Sequence, residues 1–230
     1  MTKSIYDQIT ASGTSGTDFK QRMVETFSGD ALDTDRWSTG KDSYNSGTPT
    51  FAMDDSVDGG FKVIAEANIL NSSAGVGSAS SYGGNNIRQF AHNGSVYIDV
   101  FKQNTASSGH KVCAHGLKET MAGDGAGNNA CLWGSGTQMS TSYFMSRTCG
   151  SSGSQTQVAS DVAYDQNWHN YKIETKSASV EFTLDGVLKT NNTTTTNIPA
   201  SKMAPTNGVQ STNTSTAASY SIRYVECYNT

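Results

Sequence analysis

Trp168-His169-Asn170-Tyr171-Lys172-Ile173-Glu174, then Val180-Glu181-Phe182-Thr183-Leu184, then Asp185-Gly186 and Val187-Leu188: this stretch decides the fold. Tyr171 and Ile173 alternate with Asn170, Lys172 and Glu174. Phe182 and Leu184 lie in the same way on one side of Glu181 and Thr183. Successive side chains of a strand point to opposite faces, so a period of two buries one face and leaves the other in water. Asp-Gly after the second run suits a tight type I′ turn, because both residues tolerate positive φ. The stretch predicts paired antiparallel strands, with Trp168 and His169 as packing at the core or rim and Trp168 covering the end of a sandwich.

The same period recurs outward along the chain. Val24-Glu25-Thr26-Phe27 reads as a strand, followed by a turn at Ser28-Gly29-Asp30. Phe61, Val63, Ala65, Ala67 and Ile69 alternate with more polar residues, and Val96, Ile98 and Val100 with Tyr97, Asp99 and Phe101. Lys111–Leu117, Ala130–Trp133, Ser142–Met145 and Tyr220–Cys227 are further strand signals. No long apolar stripe of period 3.6 competes with them. Gly-, Ser-, Thr- and Asn-rich stretches at 71–86, 104–110, 122–129, 150–157 and 189–197 read as loops of one domain. Residues 23–230 thus predict an all-β, two-sheet antiparallel sandwich, preceded by an arm at residues 1–22.

Composition narrows the functional classes. Only 16% of the 230 residues are charged and the formal net charge is −4. Polarity comes from hydroxyl and amide side chains and 23 glycines, which suit turns and exposed strand faces better than helices. There is no Lys/Arg cluster of five or more, which argues against nucleic acid and anionic membranes as partners. The N-terminus, Met1-Thr2-Lys3-Ser4-Ile5-Tyr6-Asp7, has no apolar core of a signal peptide, so synthesis in a host cytoplasm without secretion is expected. Cys113, Cys131, Cys149 and Cys227 form no CxxC pair, so they read as buried thiols and not as a zinc site.

Three blocks resemble the concanavalin A-like superfamily, which includes laminin-G-like modules and glycoside hydrolase family 16. The first is Phe27 to Trp37, similar to an opening "F…LD…W". The second is Asn93-Gly94-Ser95-Val96-Tyr97-Ile98-Asp99-Val100. The third is the 168–188 stretch, similar to a "W-H-x-Y-x-I…V-x-F-x-x-D-G" hairpin. The resemblance implies a jelly-roll sandwich. It also implies a place to look for chemistry, since family 16 enzymes carry E-x-D-x-x-E or E-x-D-x-E on one strand. The matching strand here, Asn128-Asn129-Ala130-Cys131-Leu132-Trp133, has no carboxylate, with Asn129, Cys131 and Trp133 read at the motif positions. Glu119, Glu181 and Asp185 are the remaining carboxylates considered, and no catalytic residue or cofactor is expected. Calcium is the one ion the superfamily suggests, with Asp54, Asp55 and Asp58, or Asp124 with Asn128, as oxygen donors. Trp37, Tyr82 and Trp133 are candidate platforms for a glycan.

These readings lead to an expected non-catalytic structural protein of a virion, of the capsid-decoration, cement or tail-fibre kind, displayed on the virion surface of a bacteriophage. Its N-terminal arm, through Ile5, Tyr6 and Ile9, would contact the major capsid protein or another virion subunit, and the protein would be a homo-oligomer. A module binding surface glycans is the alternative, and a family 16-like hydrolase the third reading.

Overall fold

The computed structural model describes residues 22–28, 30–34, 37–40, 47–54, 59–67, 70–77, 90–119, 129–212 and 216–230. The arm at 1–22, with Ile5, Tyr6 and Ile9, therefore lies outside the described residues save for Arg22, as do Tyr82, Asp124 and Asn128. The described chain is all-β, with no α-helix. Its strands are β1 (Arg22–Glu25), β2 (Ser38–Gly40), β3 (Thr50–Asp54), β4 (Gly60–Ile64), β5 (Leu70–Gly77), β6 (Ser95–Gln103), β7 (His110–Lys118) and β8 (Ala130–Ser135). They continue as β9 (Tyr143–Cys149), β10 (Gln155–Ala163), β11 (His169–Thr175), β12 (Val180–Leu184), β13 (Val187–Asn192), β14 (Ala204–Thr212) and β15 (Ser219–Asn229).

Two antiparallel sheets form a jelly-roll sandwich. One sheet has eight strands in the order β13-β12-β11-β6-β15-β4-β3, with β1 also on β15. The other has seven, in the order β10-β9-β8-β7-β14-β5-β2. The decisive stretch behaves as its period requires: Tyr171 pairs with Leu184 and Ile173 with Phe182, and all four are buried. Asp185 has φ 49° and Gly186 φ 79°, the two positive values a type I′ turn needs.

The core lies between the sheets. Phe101, Tyr171, Ile173, Phe182 and Tyr220 meet Cys113, Leu117, Cys131, Trp133, Phe144 and Val209 there. All four cysteines are free thiols and buried. Burial holds the thiols of Cys113, Cys131 and Cys227 well above their ordinary range, so they are inert.

Several segments read as loops turn out to be strands. β5 occupies 70–77, β10 begins at Gln155, and β13 runs on to Asn192. β14, Ala204-Pro205-Thr206-Asn207-Gly208-Val209-Gln210-Ser211-Thr212, has weak strand propensity and yet sits centrally between β7 and β5. Pro205 stands near the start of the strand, one residue before its pairing with β5 begins at Thr206, so it interrupts the ladder on one side at most. Trp168 does not cover the end of the core. It is half-buried, with the Arg223 guanidinium 4.0 Å and the Lys102 ammonium 5.9 Å from its ring centroid.

Candidate functional site

β8 sets the phase of the seven-stranded sheet. Cys131 and Trp133 point into the core, so Ala130, Leu132 and Gly134 point away from the other sheet. The sequence reading had this phase inverted, because both faces of the strand are apolar and give no contrast. Ala130 and Leu132 join Val112, Ala114 and Cys149 in a second buried apolar cluster, with Met139 packed on it. This cluster lies on the outward side, where the resemblance places the carboxylates of family 16.

Strand pairing extends that outward face. Leu132 lies between Gly116 of β7 and Arg147 of β9, and Gln157 of β10 follows beyond Arg147. One level along, Ala130 lies between Lys118 and Cys149, with Ala204 of β14 beyond Lys118. On the other side of Leu132, the level through Gly134 reads Gly40, Gly75, Gly208, Ala114, Gly134, Met145 and Ala159. Although Asp161, farther along β10, is exposed and pairs with Lys189 at 2.8 Å, at these three levels the outward face carries no Asp or Glu. It carries two cations, Arg147 at 3% exposure and Lys118 at 2%. Sequence reasoning missed both. The strand signal at 111–117 stops one residue short of Lys118, and that at 142–145 stops before Arg147, although Arg147 shares the parity of Met145 and Cys149.

The carboxylates singled out from the sequence are dispersed among structural roles. Glu119 accepts a 2.6 Å hydrogen bond from Asn129 Nδ2. Glu181 accepts one of 2.6 Å from Lys176. Asp185 accepts the Asn170 N–H at 2.8 Å and contacts His169 at 2.6 Å. Of the glycan platforms, Trp37 and Trp133 are core residues at 1% and 0% exposure, so neither offers a ring face to a sugar. Trp133 Nε1 donates to the Lys172 carbonyl oxygen. For calcium, Asp54 is exposed on β3, while Asp55, Asp58, Asp124 and Asn128 lie outside the described residues. Among the described residues no group of three His, Cys, Asp or Glu side chains is placed to hold a metal.

Two histidine clusters lie elsewhere. In the core, Asp99 Oδ2 contacts His115 Nδ1 at 2.7 Å and accepts the Tyr97 hydroxyl at 2.8 Å, tying the two sheets together. Tyr97 Oη is also 3.2 Å from the Asn207 side-chain amide. Burial, and then the Asp99 charge, hold the Tyr97 phenol far above its ordinary range, so it stays neutral. His115 stacks on Phe101 at 4.0 Å. This cluster is sealed in the core, which suits cohesion and not turnover. At the sandwich end His169 bridges two carboxylates, Nε2 to Asp165 at 2.8 Å and Nδ1 to Asp185 at 2.6 Å.

No family profile matches the sequence, and no curated protein matches it. Many solved structures share the fold. A β-glucanase from Bacillus licheniformis superposes with a TM-score of 0.63 over 91% of this chain and 98% of its own, at 14% identity. A glycosyl hydrolase family protein from Mycobacterium fortuitum gives 0.60 over 89% and 98%, also at 14%. A protein described as a pseudo β-1,3-glucanase of Mycobacterium tuberculosis gives 0.61 over 90% and 98%, at 12%. At such identity the likeness defines a class by fold: the glucanase-like jelly-roll sandwiches. It overturns the expected virion role. Further neighbours of the same fold are a transglycosylase, covered over 84% of its length, and a β-1,3-glucanase from Mycobacterium marinum, covered over 97%, and neither name points to a capsid or tail. The virion reading leaned on the absence of chemistry, and an absence selects no particular role.

Proposed function

We propose that the chain recognises a polysaccharide and does not hydrolyse it. The observation that carries this reading is the trio Ala130, Leu132 and Gly134, which occupies the outward positions of β8. Glycoside cleavage ordinarily needs two carboxyl groups roughly 5–9.5 Å apart, one to protonate the leaving oxygen and one to attack or to activate water. A methyl group, an isobutyl group and a hydrogen can do neither. At the matching levels the flanking strands β7 and β9 supply Lys118 and Arg147 and no carboxyl group. The glucanase names of the fold neighbours, and the pseudo-glucanase among them, support a glycan as the ligand.

The test is a panel of neutral β-glucans and acidic polysaccharides, in affinity gel electrophoresis and in a reducing-end assay. Retardation by at least one polymer with no release of reducing ends is the expected outcome. Release of reducing ends that stops on Glu119→Gln would sink the non-hydrolytic reading. No retardation by any polymer would sink the recognition reading.

A further inference from the structure

Residues 164–168 carry the chain from β10 of the seven-stranded sheet to β11 of the eight-stranded sheet. This crossover is tied to the β12–β13 turn through one ring. Asp165 Oδ1, from the crossover, meets His169 Nε2 at 2.8 Å, and Asp185 Oδ2, from the turn, meets Nδ1 at 2.6 Å. A neutral imidazole has one N–H and one lone pair, so both contacts together need the imidazolium. The two carboxylates are 40% and 49% exposed, which gives protons a path from water. The other neighbours of the ring are Phe144 of β9, Tyr171 of β11 and Phe101, paired with it on β6. Burial first, and then the Asp99 charge, push the Tyr171 phenol far above its ordinary range, so it stays neutral. His115 and Asp99 lie beyond Tyr171, sealed in the core. Among the described residues, Asp165 and Asp185 are thus the ionised groups facing His169.

The two sides of the ring are not equivalent. Asp185 is fixed by its turn: its N–H donates to the Asn170 carbonyl oxygen at 2.8 Å and its Oδ1 accepts the Asn170 N–H at 2.8 Å. Asp165 lies in the crossover, where its Oδ1 also accepts the Asn167 N–H at 2.8 Å. The crossover is otherwise held by Tyr164, bonded to the Ser142 and Thr105 carbonyl oxygens, and by Gln166, bonded to that of Asn104. It also carries an unmet need. The Trp168 indole N–H is buried without a hydrogen-bond partner, a cost that water would relieve.

We propose that His169 is a pH-sensitive clamp on the 164–168 crossover: the imidazolium ties the crossover to the β12–β13 turn, and the neutral ring keeps Asp185 and lets go of Asp165. The Nε2 proton leaves to solvent, and a lone pair then faces the Asp165 carboxylate, which turns attraction into repulsion. Nδ1 keeps its proton because its contact is the shorter one and its partner is fixed. The freed crossover lets the Trp168 N–H reach water. Burial opposes charge on the ring, but Asp185 and Asp165 outweigh it and raise His169 above its ordinary value. The clamp is therefore fully closed below about 6.5 and opens as pH rises through the higher folded-state value. The device does not depend on the proposed recognition role.

The experiment follows acrylamide quenching of tryptophan fluorescence, with far-UV circular dichroism, from about pH 5 to about pH 9, a range that brackets the ordinary histidine value. Trp168 is the reporter, since Trp37 and Trp133 are core residues. The expected result is a sigmoidal rise in quenching with its midpoint above about 6.5, while the dichroism stays constant. The step should vanish in His169→Gln and in Trp168→Phe. Should either variant fail to fold, Asp165→Asn decides: loss of one carboxylate should move the midpoint to lower pH. Quenching that does not change with pH, a step that survives in His169→Gln, or an unmoved midpoint in Asp165→Asn overturns the clamp. A step that survives in Trp168→Phe, or a parallel change in dichroism, overturns it in favour of loosening of the whole sandwich.

Discussion

The outward faces of the two sheets follow one strand period and end with opposite chemistry. On the eight-stranded sheet acids and bases sit side by side: Lys172 with Glu174 at 2.7 Å, Lys176 with Glu181 at 2.6 Å, Arg22 with Glu226 at 2.9 Å. These groups stand partly in water, and their charges cancel locally. On the seven-stranded sheet the outward face is apolar or small around Leu132, and Lys118 and Arg147 beside it are buried. A sheet face in water needs only polarity, which many residues supply. A sheet face that is covered selects size and sign of charge position by position, because an uncompensated buried charge is costly.

A carboxylate placed on each face should give the largest contrast. Leu132→Asp puts an acid into the covered cluster and should cost at least about 3 kcal/mol, or prevent folding, by burying an unsatisfied charge. Thr183→Asp puts one opposite Lys172 on the other sheet and should stay within about 0.5 kcal/mol. Urea denaturation of both variants checks this, and equal losses would break the distinction between the faces.

The tryptophans come next. Trp133→Ala, in the core, should cost about 3–5 kcal/mol. Trp168→Ala, half-buried under Arg223 and Lys102, should cost at most about 2 kcal/mol, the upper range of a desolvated cation–π contact. Similar melting temperatures for the two variants would contradict the placement of one of them.

A smaller effect is expected at the sandwich end. Both ring nitrogens of His169 face carboxylates, so the geometry requires the doubly protonated imidazolium. Burial opposes that charge, but the hydrogen bonds and charges of Asp185 and Asp165 outweigh it and raise the group above its ordinary value. A raised folded-state value stabilises the fold fully below the unfolded value, about 6.5, and the contribution disappears as pH rises through the folded value. Thermal melts should therefore show stability falling across that window, and His169→Gln should flatten the step. A step that persists in the variant would assign it to another group.

The smallest change belongs to the open face. Breaking the Lys172–Glu174 pair with Lys172→Ala should cost about 0.2–1 kcal/mol and less in high salt, as exposed pairs do. A loss above 2 kcal/mol would show that this face is less open than its exposure suggests.

The fold was legible where one face of a strand meets water. β6, β11, β12 and β15 alternate visibly, and the Asp185-Gly186 turn announces itself through the backbone conformation it needs. β5 and β14 were not legible. Their Gly, Ser, Thr and Asn content matches that of the loops, and they become strands because they pair with each other and with β7 in the middle of a sheet. The candidate site was half legible. The lack of a carboxylate on β8 could be read directly, whereas its phase could not, since Cys131 and Trp133 on one face and Ala130 and Leu132 on the other are equally apolar.

By itself the sequence determined the all-β class, the hairpin at 168–188 and the missing acid motif, because period, turn chemistry and residue identity are local properties. The tertiary structure alone decided that Trp133 is core and Trp168 is not, and that His169 meets both Asp165 and Asp185. It alone set Lys118 and Arg147 on either side of Ala130 and Leu132. Register between strands distant in sequence fixes these neighbours, and register is settled by the packing of the whole sandwich.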